Sequence, residues 1–130
     1  MAGSKFRVVD SSFILSHLLP DENLESVEKE FSRFETGEIE FIGTKILPFE
    51  VLNGLWTAAV IKRRISKKQL KDLADRFIKM GIRLIGVEYL PALELAVSKN
   101  LTFYDACYLY LSNTKKIPLL TFDQALQKLA

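Results

Sequence analysis

The sequence predicts an α/β fold, a three-layer α/β/α sandwich around a central parallel sheet. Four short apolar runs, at residues 5–10, 40–47, 82–87 and 116–123, alternate with amphipathic stretches. The runs are continuously apolar, which marks strands covered on both faces. The chain has 130 residues, 48% apolar and 26% charged, with no repeat or low-complexity tract. That reads as one domain, 1–130, with its own core. Residues 1–4 are excepted, since "AGS" so near the start has the look of a cloning scar.

Each element has a local reason. "KFRVVD" (Lys5 to Asp10) is a buried strand ending in an acid, and "SSFILSHLLP" starts a helix that Pro20 stops. Leu24, Val27, Phe31 and Phe34 then fall at helical spacing, with Gly37 as the end. Glu40 to Leu47 is the second strand. Pro48, a favoured first helical residue, opens a helix reaching about Arg64. Ser66 caps the next helix and Gly81 closes it. Ile82 to Val87 is the third strand. A short helix follows, ended by Asn100, and then a longer one in "TFYDACYLYLSN". "KIPLLTFD" is the fourth strand and "DQALQKLA" a C-terminal helix.

Right-handed crossovers place the carboxyl ends of all four strands on one edge, where open parallel sheets bind ligands. Asp10 and Asp123 end strands there, and Glu50 lies in the first turn of the helix leaving the second strand. The helix carrying Asp105 feeds the last strand through a short turn, so it must run down from the same edge, with Asp105 in its first turn. The short helix before it, Pro91 to Lys99, is then expected to lie along the edge. Singly, Asp10 and Asp123 read equally well as helix N-caps, and Glu50 as a first-turn acid favoured by the helix dipole. Asp105 resists that reading, because Thr102 already offers the cap and its neighbours are apolar. Together, converging carboxylates repel one another, and a hard divalent cation relieves the conflict. Acids without His or Cys suit Mg²⁺ or Mn²⁺ and phosphoryl chemistry.

Other function classes are excluded or weakened. No apolar run approaches the ~20 residues that span a bilayer, and "MAGSK" carries no signal-peptide core. Cys107 is the only cysteine, which excludes an intrachain disulfide and a cysteine-rich zinc site and points to the reducing cytoplasm. His17 is the only histidine, so two-histidine RNase chemistry is excluded, and an apolar helix suggests packing for it. No phosphate-cradling glycine loop or nucleophile elbow is present.

The segments "VVDSSFILSHLL", "PFEVLNGL", "LTFYDACYLYLS" and "PLLTFDQAL" resemble, in order and interval, the four blocks of a PIN domain, most closely a VapC-type toxin. The resemblance runs from about Arg7 to Leu126. It implies a Mg²⁺- or Mn²⁺-dependent ribonuclease whose metal-ligating catalytic acids are Asp10, Glu50, Asp105 and Asp123. It further implies supporting roles for Thr121, which orients the acids, for Ser11 or Ser12, and for Asn53, which shares a helix face with Glu50. By the same resemblance an RNA substrate of the tRNA or rRNA class and an antitoxin protein are expected, with cleavage leaving 5′-phosphate and 3′-hydroxyl ends; a homodimer is expected as well.

Two other readings compete. One is a PIN-like module that binds RNA or protein without cutting. The other is a receiver-type phosphoacceptor, which needs a lysine where "LLTFD" presents Asp123. The net charge of +2 announces no nucleic acid by itself. The run "KRRISKK" (Lys62 to Lys68), with Lys71, reads first as a solvated turn and second as a phosphate patch. Lys115 and Lys116 read as helix C-terminal cations. Most of the Phe49, Leu52, Leu55 and Trp56 face is expected in the core, the remainder serving a second copy or a partner helix. Tyr104, Tyr108 and Tyr110 are expected in the core before base stacking.

Overall fold

A computed structural model describes residues 5–130; the suspected scar at 2–4 lies outside the described residues. The strands are β1 (Phe6–Val9), β2 (Glu40–Thr44), β3 (Arg83–Ile85) and β4 (Leu119–Leu120). The helices are α1 (Ser11–Leu18), α2 (Glu25–Glu35), α3 (Leu47–Trp56), α4 (Lys67–Lys79), α5 (Tyr89–Lys99), α6 (Phe103–Lys115) and α7 (Gln124–Leu129). The sheet order is β3-β2-β1-β4, with every pairing parallel. Phe41 and Ile42 are successive strand residues and so point to opposite faces, yet both are buried. The sheet is therefore covered on both sides, as the apolar runs predict.

One face is closed by an aromatic cluster. Phe31 and Phe34 of α2 stand 5.1 and 4.4 Å from the Phe41 ring, and Phe13 of α1 lies 5.6 Å from Phe31. His17 stacks on Phe31 at 3.7 Å and meets Glu28 through Nδ1 at 2.7 Å. It joins α1 to α2, the structural role its apolar surroundings suggest. Helix α3 packs so closely on α1 that a Cβ at Gly54 would stand 2.4 Å from Leu15 Cδ1.

Most element ends follow the local signals. Ser66 and Gln69 form a reciprocal capping box at the start of α4. Gly81 follows that helix with φ 65°, and Asn100 ends α5 with φ 55°, both left-handed. The departures have physical causes. The last strand shrinks to Leu119–Leu120, because Pro118 has no N–H to donate and contributes only its carbonyl, to Val8 N at 2.8 Å. The helix expected to reach Arg64 leaves α geometry at Trp56. Residues 57–61 form a π-helical turn, with Lys62 N bonding Thr57 O at 2.9 Å. The Arg64 guanidinium then meets Asp21 at 2.8 Å and Glu22 at 2.7 Å, so one member of the basic run is spent tying this turn to the α1–α2 loop.

Helix α5 packs along α6, and Tyr110 of α6 donates to Glu88 at the start of α5 at 3.1 Å. The two form a hairpin, correcting the expectation that α5 lies along the sheet edge. A second correction concerns apolar faces. Of Phe49, Leu52, Leu55 and Trp56, only Leu55 is in the core; Phe49 is 71% and Trp56 46% exposed. Among the three tyrosines, Tyr108 is buried while Tyr104 is 54% exposed.

Phe41 joins the sheet to α2. Replacing it with Ala is expected to cost about 3–5 kcal/mol, read as a lower urea midpoint at unchanged m value; a loss under 1 kcal/mol would show that the cluster does not bind the layers.

Candidate active site

Asp10 follows the last residue of β1 and caps α1, its Oδ1 accepting from Phe13 N at 3.0 Å. The same oxygen accepts from Ser12 Oγ at 2.7 Å, and Oδ2 accepts a short hydrogen bond from Thr121 Oγ1. Thr121 follows β4, the strand beside β1, and its hydroxyl also accepts from Asp123 N at 3.0 Å. Ser12 Oγ accepts from Phe122 N at 2.8 Å. These bonds stitch the end of β1 to the end of β4, its edge neighbour. Three of the roughly four acceptor positions of a carboxylate are thereby occupied at Asp10, which leaves about one for anything else.

Of the two serines, Ser12 makes these bonds and Ser11 takes no part in them. Asn53 stands exposed one turn beyond Glu50 and bonds none of the acids. Asp123 caps α7, with Oδ1 accepting from Leu126 N at 2.9 Å. The cap reading thus holds for Asp10 and Asp123, but each cap uses only one of the two oxygens. Glu50 sits in the first turn of α3, and Tyr108 Oη donates to its Oε1 at 2.6 Å. Asp105 lies in the first turn of α6, where Thr102 caps the helix through Asp105 N at 3.1 Å.

The four acids share one field. Burial pushes the Asp10 carboxyl above its ordinary value, three hydrogen bonds work against that, and Asp123 adds repulsion. Burial also raises Glu50, against the Tyr108 hydrogen bond, with Asp10 and Asp105 repelling it further. Burial raises Asp105, repulsion from Asp123 and Asp10 adds to it, and the nearby Thr102 hydroxyl acts the other way. The structure therefore brings together all four sequence-predicted acids, from four separate elements. Among the described residues, no three His, Cys, Asp or Glu side chains form a ready metal cage.

The donor set still suits a hard divalent ion. It is all oxygen, its carboxylates repel one another, and Mg²⁺ typically binds through one or two carboxylates plus waters and substrate phosphate. One contributor was not singled out by the sequence as part of this site. Tyr108, read as core, is both core and the donor that holds Glu50; its place three residues after Asp105, on the same helix face, was the available signal. Ser12 proved to be the clamp where Ser11 was equally plausible.

A sequence profile of the PIN domain matches residues 7–130. The chain is 28% identical over 122 residues to Ribonuclease VapC3 of Pyrobaculum aerophilum, covering 92% of this chain and 90% of that one. Its fold superposes on the crystal structure of PAE2754, also from Pyrobaculum aerophilum, with a TM-score of 0.77 at 20% identity. That match covers 98% of this chain and 81% of the other.

The raised acids give a signed pH dependence. A carboxyl whose folded pKa exceeds its unfolded value binds protons more readily when folded. Its contribution to stability is thus present at acid pH and is lost as pH rises through the folded pKa. Without divalent ions, Asp105→Asn is expected to melt higher than the parent at neutral pH, the gap closing below the ordinary carboxylate pKa near 4. Thermal melts across that range check it; a gap that widens on acidification would contradict the raised pKa.

Proposed function

The chain belongs to the PIN-domain family, and on that premise we propose that it is a Mg²⁺- or Mn²⁺-dependent endoribonuclease, the toxin of a VapBC-type toxin–antitoxin pair. The observation that carries this reading is the meeting of Asp10, Glu50, Asp105 and Asp123 at one sheet edge, three of them raised by burial and mutual repulsion. The relative named Ribonuclease VapC3 supports RNA as the substrate.

In this reading Asp10, Asp105, Asp123 and Glu50 would hold the ion, and the ion would bind the scissile phosphate. A bound divalent ion supplies an activated water and a counter-charge for the leaving oxygen. The protein's own contribution is placement. Ser12 and Thr121 fix the Asp10 carboxylate, and Thr121 joins it to the backbone of Asp123. Tyr108 fixes one oxygen of Glu50 and leaves the other open, so Glu50 is the acid placed to receive a proton from the attacking water. The water oxygen bonds to phosphorus as the bond to O3′ breaks, and O3′ takes up a proton from solvent, leaving 5′-phosphate and 3′-hydroxyl ends.

The exposed apolar side chains on α3 and α5, including Trp56, Leu90 and Leu93, support a protein partner, either the antitoxin or a second copy of the chain. No helix among the described residues is long and apolar enough to cross a membrane. Work in the cytoplasm fits the buried, unpaired Cys107. One observation favours the alternative of a non-cutting PIN-like binding module, namely that no three acids among the described residues form a ready cage. Mn²⁺ titration followed by calorimetry separates the two, since a silent module binds no ion at millimolar concentration.

Asp10→Asn and Asp105→Asn are expected to abolish divalent-dependent cleavage of total RNA while leaving the fold intact by circular dichroism. Cleavage persisting in either folded variant would remove that residue from its role. Thr121→Val should lower the rate roughly 10–100-fold, as loss of a ligand-orienting group does. Tyr108→Phe removes the hydrogen bond that lowers the Glu50 pKa, so the acid limb of the pH–rate profile should move to higher pH. An unmoved limb would show that Glu50 does not set it.

A further inference from the structure

Beside the acid cluster, between the carboxyl ends of β2 and β3 and the start of α6, lies a compact cavity of about 310 Å³. Its lining includes Thr44, Phe49, Gly86, Tyr89 and Tyr104, with Lys45 at the same edge. Tyr89 is 77% exposed, and Phe49 and Tyr104 are also largely open to solvent, and all three line the same cavity, a contiguous apolar patch of the kind that marks a binding site. Phe49 adjoins Glu50 in the chain and Tyr104 adjoins Asp105, so two walls of the cavity are continuous with two of the acids.

The buried Thr44 hydroxyl has no hydrogen-bond partner. Burial and the bond to Glu50 push the Tyr108 phenol well up, and the nearby Thr44 hydroxyl acts the other way. The contact is outside hydrogen-bond geometry, however, and such a contact does not satisfy a buried hydroxyl. The Tyr108 proton is already committed to Glu50.

We propose that this cavity receives one unstacked nucleobase of the RNA next to the scissile phosphate, between Phe49, Tyr89 and Tyr104, and so sets a base preference. The proposal rests on the ribonuclease reading above. The size favours a base over a partner helix, because a helix needs a groove several turns long and this cavity is at the small end of small-molecule pockets. Aromatic rings stack on unpaired bases, and sequence-specific recognition of RNA targets bases splayed out of single strands. Lys45 is in place for a flanking phosphate.

Gly86 provides the test. It lines the cavity, its φ is not left-handed, and a Cβ there would meet nothing within 4 Å. Gly86→Leu should therefore fill the slot without strain, and Tyr104→Ala, at an exposed position, removes one wall. The probe is a pool of random short single-stranded oligoribonucleotides with Mn²⁺, the cut ends being sequenced. The parent is expected to show a base preference at one position flanking the cut. Both variants should flatten it and raise KM by about tenfold, the size of one lost stacking contact, with kcat little changed. An unaltered base profile and KM in both variants overturns the proposal. So does a filled slot that changes only the oligomeric state by sedimentation, which would assign the cavity to a second copy.

A binding assay isolates the premise. With Asp10→Asn as the background, an oligoribonucleotide carrying 2-aminopurine should lose fluorescence on binding, and adding Gly86→Leu should prevent the loss. Quenching by a parent that cuts no RNA would sink the ribonuclease reading and leave the base slot standing. Absence of quenching in a parent that does cut would do the reverse.

Discussion

Four carboxylates at one end of a buried parallel sheet repel one another, and the rest of the molecule is organised to hold them there. The bond from Thr121 to Asp10 is the central restraint. It spans the adjacent ends of β1 and β4, and the same hydroxyl accepts from the backbone of Asp123. Ser12 repeats the arrangement from the other side, donating to Asp10 while accepting from Phe122. β4 is only two residues long, so its position depends heavily on these side-chain bonds and on the Pro118 carbonyl. A site acid is thereby part of what holds the sheet together.

That arrangement opposes stability to function. Burial raises Asp10, Glu50 and Asp105, which means that their charged forms are held in the fold against their preference. The molecule offsets this locally, with hydroxyls and a backbone N–H at Asp10 and a phenol at Glu50, instead of with a lysine or arginine. A cation built into the site would neutralise the field that the four carboxylates create. Arg64, the best-engaged cation of the basic run, is turned instead toward Asp21 and Glu22. There it fixes the end of the π-helical turn against the loop that follows α1.

Much of the fold and of the acid set could be read before any coordinate was known. Continuous apolar runs gave the doubly covered sheet. The short turn between α6 and β4 forced Asp105 to the same edge as Asp10. What could not be read were quantities set by neighbours remote in sequence. Periodicity marks Trp56 and Phe49 as apolar but does not say that nothing covers them. Tyr104 and Tyr108 share a helix face by spacing, yet Tyr104, in the first turn of α6, is exposed, while Tyr108, one turn further along, is core and bonded to Glu50. Ser11 and Ser12 were equivalent as letters; helix geometry turns only Ser12 toward Asp10 and Phe122.

The sequence by itself determined the layer order, the strand identities and which acids meet, because strand and helix patterns with right-handed crossovers leave little topological freedom. Only the tertiary structure decided how the acids are held and what surrounds them. The Thr121 clamp spans 111 residues, and the Tyr108 bond to Glu50 spans 58. Contacts that distant depend on the packing of β4 against β1 and of α6 against the sheet, and no local pattern encodes their geometry. The slot beside Thr44 is decided in the same way, since its walls come from β2, α3, α5, α6 and the end of β3.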